Sequence, residues 1–145
     1  MITLRKSGVT GTSAGAARNV VSAQCRSVDN AGDLVRLASV ELDTLYVERV
    51  NPYYRDQMPA YGIIIAKDNE VTCQVQTLGD VSVSAMDALT PGKVCYVGTN
   101  GRVTTTAPDA INSPSGIVLL QAIGYSGGVS RLSFTPTPVT LEISV

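Results

Sequence analysis

Residues 71–77 read Val-Thr-Cys-Gln-Val-Gln-Thr, with Val71, Cys73 and Val75 on one face and Thr72, Gln74 and Gln76 on the other. Residues 80–84 (Asp-Val-Ser-Val-Ser) keep the same period. So do residues 139–145, where Val139, Leu141, Ile143 and Val145 alternate with Thr140, Glu142 and Ser144. Successive side chains of an extended chain point to opposite sides, so apolar residues at every second position mark a strand with one buried and one wet face. Val139, Leu141, Ile143 and Val145 are accordingly expected to point inward. Working outward, residues 20–28, 34–40, 45–50, 61–67, 93–97, 102–106, 117–123 and 129–134 are further strand candidates. About eleven short strands at such spacing predict an all-β fold, a single β-barrel or β-sandwich of mostly antiparallel strands.

The connections carry their own chemistry. Thr99-Asn-Gly-Arg102 has Asn-Gly at its centre, the pair that best tolerates the two positive φ angles of a type I′ hairpin. Thr90-Pro-Gly-Lys93 fits a type II turn, with Pro91 fixing φ and Gly92 supplying the positive φ. Residues 67–70 and 126–129 are expected to close two more hairpins. Helix signals are few: one turn over 85–89, and Asn51-Pro-Tyr-Tyr-Arg-Asp-Gln-Met58, where Asn51 can cap and Pro52 can open a short helix or a structured loop. Residues 106–115, with Pro108 and Pro114, read as a surface loop.

The chain has 145 residues, no His, no Trp and one Phe, with 16% charged and 44% hydrophobic residues. Without histidine, Ser-His-Asp and Cys-His mechanisms and His-bearing zinc sites are excluded. Paired carboxylates such as Asp29 with Asp33, or Asp68 with Glu70, occur in ordinary surface turns, and no Gly-rich stretch has the spacing of a phosphate-binding loop. Lys67, at the end of an apolar run, reads as an exposed strand-end lysine. The composition points away from an enzyme and implies no cofactor or metal. The net charge of −1, with scattered basic residues, argues against nucleic-acid binding. No stretch reaches the roughly 18 apolar residues of a membrane span, and residues 1–15 lack the apolar core of a secretory signal. Cys25, Cys73 and Cys95 form no CxxC pair and read as buried, reduced thiols, in keeping with a reducing cytoplasm. Their spacing leaves any disulfide pairing among them open.

Residues 1–17 are expected to form an extended or flexible N-terminal arm ahead of a domain at 18–145. Residues 7–17 (Ser-Gly-Val-Thr-Gly-Thr-Ser-Ala-Gly-Ala-Ala) are too small and polar to build a core, while Ile2, Leu4 and Val9 alternate with polar neighbours and could anchor an added strand. Tyr53, Tyr54, Arg55 and Met58, with Tyr61 near by, are types enriched in interface cores. They form a candidate partner-binding patch, the plainer reading being packing of a loop over a barrel end.

From Met58 to Thr106 the sequence runs MPAYGIIIAKDNEVTCQVQTLGDV, then ALTPGKVCYVGTNGRVTTTAP, and residues 119–125 and 131–134 supply closing strands. This pattern, over roughly residues 58–145, resembles small β-barrel modules of tailed-bacteriophage virions, in particular head decoration (cement) proteins. The resemblance implies a structural protein on the outer surface of the capsid, assembled in the host cytoplasm. It would clamp neighbouring major capsid protein subunits, commonly as a homotrimer and often through an N-terminal arm. Similar modules also occur in phage tails and fibres, so a tail component, including a receptor- or carbohydrate-binding module, is the competing expectation. The absence of Trp and the single Phe weigh against the carbohydrate reading.

Overall fold

A computed structural model describes residues 19–145 apart from Ala85 and Asp87. The expected arm, with Ile2, Leu4 and Val9, lies outside the described residues, as does part of the expected turn at 85–89. The protein is all-β, with twelve strands among the described residues: β1 (Val20–Gln24), β2 (Leu34–Glu41), β3 (Thr44–Arg49), β4 (Gly62–Lys67), β5 (Thr72–Gln76), β6 (Gly79–Ser82), β7 (Val94–Val97), β8 (Val103–Thr104), β9 (Ile117–Leu120), β10 (Ala122–Gly128), β11 (Arg131–Phe134) and β12 (Leu141–Ser144). Helical structure among the described residues is confined to single 3-10 turns at Arg55–Gln57 and Thr99–Gly101.

The first five strands close a barrel in the order β1-β3-β2-β4-β5. Its seam is antiparallel, Val20 to Gln24 opposite Gln76 to Thr72, and β1 meets β3 in parallel. Five later strands form a sheet in the order β6-β11-β10-β7-β8, and β9 pairs with β12 as a separate two-stranded ribbon. The expected single barrel or sandwich is thus a barrel, a sheet packed on it, and a ribbon.

Two cores result. Val35, Val47, Ile64, Cys73 and Val75 fill the barrel with Ala23 and Cys25. Leu34, Val50, Ile63, Val97, Ile123, Leu132 and Phe134 belong to a second core that joins the barrel's outer wall to the sheet. Adjacent residues of β2 (Leu34, Val35) and of β4 (Ile63, Ile64) go to different cores, all four completely buried. That explains the unbroken apolar run in β4: a strand buried on both faces has no polar side to alternate with.

The Asn-Gly turn forms as its sequence predicts, with φ of 55° at Asn100 and 75° at Gly101. It also does more than turn. The Gly101 N–H donates to the Val50 carbonyl at 3.0 Å, and a Cβ at Gly101 would lie 2.9 Å from the Leu34 carbonyl oxygen. The hairpin tip is therefore pressed against the barrel backbone. Gly92 has φ of 76°, in keeping with the expected type II turn.

Several boundaries differ from the sequence reading. The candidate at 20–28 stops at Gln24 because residues 25–33 form a loop around a buried ion. Asp29, fully buried, accepts from the Arg26 backbone N–H at 2.9 Å and faces the Arg26 and Arg49 guanidinium groups at 3.1 and 3.4 Å. Asp29 and Asp33 are thus held by arginines, Asp33 by Arg49 at 3.9 Å. Burial is the main reason the Asp33 carboxyl sits above its ordinary range. Lys67 is not a free strand-end lysine, since its Nζ donates to the carbonyls of Arg26, Asp29 and Glu70 at 3.1, 2.8 and 2.9 Å.

The candidate at 117–123 splits at Gln121 into β9 and the start of β10, which is why twelve strands replace about eleven. The β10–β11 turn lies beyond 126–129: Ser126 is still paired with Leu132, and the chain reverses through Val129 and Ser130, where φ is 58°. The largest difference is at the C-terminus. Val139, Leu141, Ile143 and Val145 alternate as expected but are 74, 63, 40 and 81% exposed, because β12 pairs only with β9 and neither core reaches that face.

At the β10 bulge, between Ala122 and Gly124, Gly124 takes φ of 134° and a Cβ there would lie 1.8 Å from the Ser133 carbonyl oxygen. Gly124→Ala is therefore expected to force β10 and β11 apart and abolish cooperative thermal unfolding. Gly127→Ala, where the nearest atom would be 3.6 Å away, should change stability by less than about 0.5 kcal/mol. Equal melting curves for the two variants would contradict this packing.

Candidate partner-binding surface

The segment Asn51 to Tyr61 leaves the barrel after β3 and returns as β4. Asn51 organises its start: its side-chain oxygen accepts the Tyr53 N–H at 3.0 Å, and its carbonyl accepts the Tyr54 N–H at 3.3 Å. This is the turn chemistry expected of Asx residues. The Asn51 N–H donates to Gln57 at 3.2 Å, closing the loop across the 3-10 turn. The Met58–Pro59 peptide is cis. The segment is thus a structured loop rather than a helix.

Gln121 holds the far end of this loop. Its side chain is 1% exposed. Its Oε1 accepts the Ala60 N–H at 2.7 Å, while its Nε2 donates to the Ala60 carbonyl at 3.2 Å and to the Thr137 carbonyl at 2.6 Å. The side-chain amide pairs with Ala60 as one peptide group pairs with another in a ladder, and it ties residues 60 and 137 to the β9–β10 junction. A buried amide with these partners is well satisfied. Its one signal in the sequence is a single Gln inside the apolar run Ile-Val-Leu-Leu-Gln-Ala-Ile.

The four loop residues proposed as a patch are placed on different surfaces. Met58 packs against the second core and lines a groove of about 270 Å³ with Arg36, Leu37, Pro59, Tyr61 and Pro136. Tyr53 lines another cavity, of about 320 Å³, with Arg102, Thr104, Thr106 and Pro108. Tyr54 is 36% exposed. Arg55 reaches β12 and grips Glu142 with two hydrogen bonds, Nε to Oε1 at 2.6 Å and Nη2 to Oε2 at 2.7 Å. The Arg55 guanidinium holds the Glu142 carboxyl below its usual range. The groove is the site the sequence did not reveal, because Arg36 and Leu37 on β2 and Pro136 are distant in the chain from Met58. On its wall, Arg36 gives Nη2 to Glu48 at 2.9 Å, while its buried Nε has no hydrogen-bond partner.

All three cysteines are free and buried. Burial, then a hydrogen bond with Cys25, pushes the Cys73 thiol up to about 12, and burial raises Cys95. Thiols held this way are poor nucleophiles at neutral pH. Among the described residues no group of three or more Cys, Asp or Glu is placed to hold a metal ion, and no helix is long and apolar enough to cross a membrane. Comparisons with protein-family models, with curated proteins and with solved structures found no match to this chain.

Gln121→Leu keeps the volume but strands the Ala60 and Thr137 groups, and should cost roughly 3 kcal/mol of unfolding free energy; a loss under about 1 kcal/mol in denaturant melts would contradict the bridging role. The Arg55–Glu142 contact is stabilising above the unfolded carboxylate range and is lost as pH falls through the lowered Glu142 value. Amide exchange in β12 should therefore accelerate in acid for the wild type, relative to its intrinsic rate, and be faster by up to about fivefold already at pH 7 for Arg55→Ala, the size expected of an exposed ion pair.

Proposed function

We propose that this protein is a virion structural protein that binds the outer surface of a phage capsid and clamps neighbouring major capsid protein subunits. The observation that carries the reading is the groove beside Met58. Its walls are mostly apolar, and Gln121 fixes two of the lining residues, Ala60 and Thr137. An extended coat-protein segment has the matching chemistry, with aliphatic side chains for the walls. Residues 1–17, with Ile2, Leu4 and Val9 as alternating anchors, would add a strand to the same partner. Copies would sit on the lattice as homotrimers, where many weak attachments act together.

Deleting residues 1–17 is expected to leave a folded domain that no longer co-sediments with cognate capsids or appears as surface knobs in negative-stain images. Leu37→Lys, on the groove wall, should weaken capsid binding about tenfold or more while leaving the melting temperature nearly unchanged. Undiminished decoration by both variants would overturn the reading, as would a gene set among tail-tube and fibre genes instead of capsid, portal and protease genes.

A further inference from the structure

We propose that β12 is a two-fold dimerisation edge, on which a second copy of this chain adds its own β12 antiparallel to form the continuous sheet β9-β12-β12-β9. This inference does not depend on what the protein binds.

The orientation of the backbone comes first. The Leu119 N–H donates to the Pro52 carbonyl at 2.7 Å and so points away from β12. Glu142 lies opposite Leu119. In an antiparallel pair, both residues of such a position turn their N–H and C=O outward, so Glu142 presents its backbone to the free edge. Alternation gives Ser144, and Thr140 just before the strand, the same orientation. The Val145 N–H, which donates to Gly116 at 3.1 Å, keeps the opposite phase as required. No other strand among the described residues pairs with this edge.

The sequence then selects the occupant. Val-Thr-Leu-Glu-Ile-Ser-Val is symmetric in polarity about Glu142. Antiparallel self-pairing centred there sets Thr140 against the twin Ser144 and Glu142 against its twin, so every outward backbone group meets another. On one face Leu141 then lies against the twin Ile143, and Val139 against the twin Val145. These are the four aliphatic side chains left 40 to 81% exposed in the single chain. Such a match between a patch and itself is what an isologous two-fold contact requires. Glu142 opposite its twin would ordinarily repel, but each carboxylate is already gripped by Arg55 of its own chain. Arg55 thereby removes the charge conflict. Short edge strands usually carry an inward charge or a proline against such pairing; here the central charge is neutralised, and Pro136 and Pro138 precede the strand. On a capsid lattice this contact would join copies of neighbouring trimers, whose threefold contacts would use another surface.

The full-length chain should sediment at twice the chain mass as concentration rises. Ser144→Pro removes one outward N–H without touching the β9 ladder, and edge strands tolerate proline; it should remain monomeric at the same concentrations. Arg55→Ala should weaken the dimer roughly fivefold by exposing the paired carboxylates to each other. Glu142→Cys places two thiols opposite each other, with Cα atoms about 5.5 Å apart and within disulfide range. With oxidised glutathione those thiols should lose two electrons and two protons to the glutathione disulfide, leaving a covalent dimer and two glutathione thiols. Circular dichroism confirms that each variant is folded. A wild type that stays monomeric, or a dimer that survives Ser144→Pro and resists cross-linking of Glu142→Cys, would overturn the assignment.

Discussion

Strand β2 at Leu34 and Val35, and strand β4 at Ile63 and Ile64, bury both of their faces, and the rest of the molecule is arranged to make that possible. Val35 and Ile64 need the closed barrel around them; Leu34 and Ile63 need something on the outside. The sheet supplies it, bringing Ile123, Leu132 and Phe134 to the barrel wall. The Asn100-Gly101 turn presses its backbone against the same wall, donating to Val50 while Val50 in turn donates to Leu34 at 3.2 Å. Burying a main chain this deeply is affordable only when its polar groups are paired. Neither core would be complete alone, so the barrel and the sheet are expected to unfold as one cooperative unit.

Much of this organisation was legible in the sequence because it depends on local rules. Alternation located β5, β6 and β7 within a residue or two, and the Asn-Gly and Pro-Gly pairs gave their turns. What escaped was decided by distant partners. Residues 20–28 are apolar enough to continue as a strand, yet the chain turns at Cys25 because Asp29 meets Arg49 from β3. Residues 117–123 look continuous, yet Gln121 breaks them by pairing with Ala60. The alternation of residues 139–145 is real, but period alone says which side chains share a face and not whether anything covers it. Of the candidate binding residues, Met58 was found without its groove, because the other wall comes from β2 and the Pro136 segment.

The buried polar groups are the fixed points of the fold. The buried Asp29 carboxylate and Gln121 amide, and the half-buried Lys67 ammonium, each join segments that are far apart in sequence, Asp29 to Arg49, Gln121 to Ala60 and Lys67 to Arg26 and Asp29. Apolar packing is forgiving about register, whereas a buried amide or charge is satisfied by one arrangement only. These groups therefore select the observed loop paths among the many that would bury the same aliphatic residues.

Lys67 has a further consequence. Its ammonium is held by three carbonyls, from Arg26, Asp29 and Glu70, at the end of the barrel. Its three hydrogen bonds to those carbonyls have to break before a reagent can bond to the nitrogen. Acylating reagents should find Lys67 nearly inert while the barrel end is closed. Lys67 is thus a chemical reporter on the junction of the 25–33 loop with the β4–β5 turn: the modification of this one side chain measures how often that end opens.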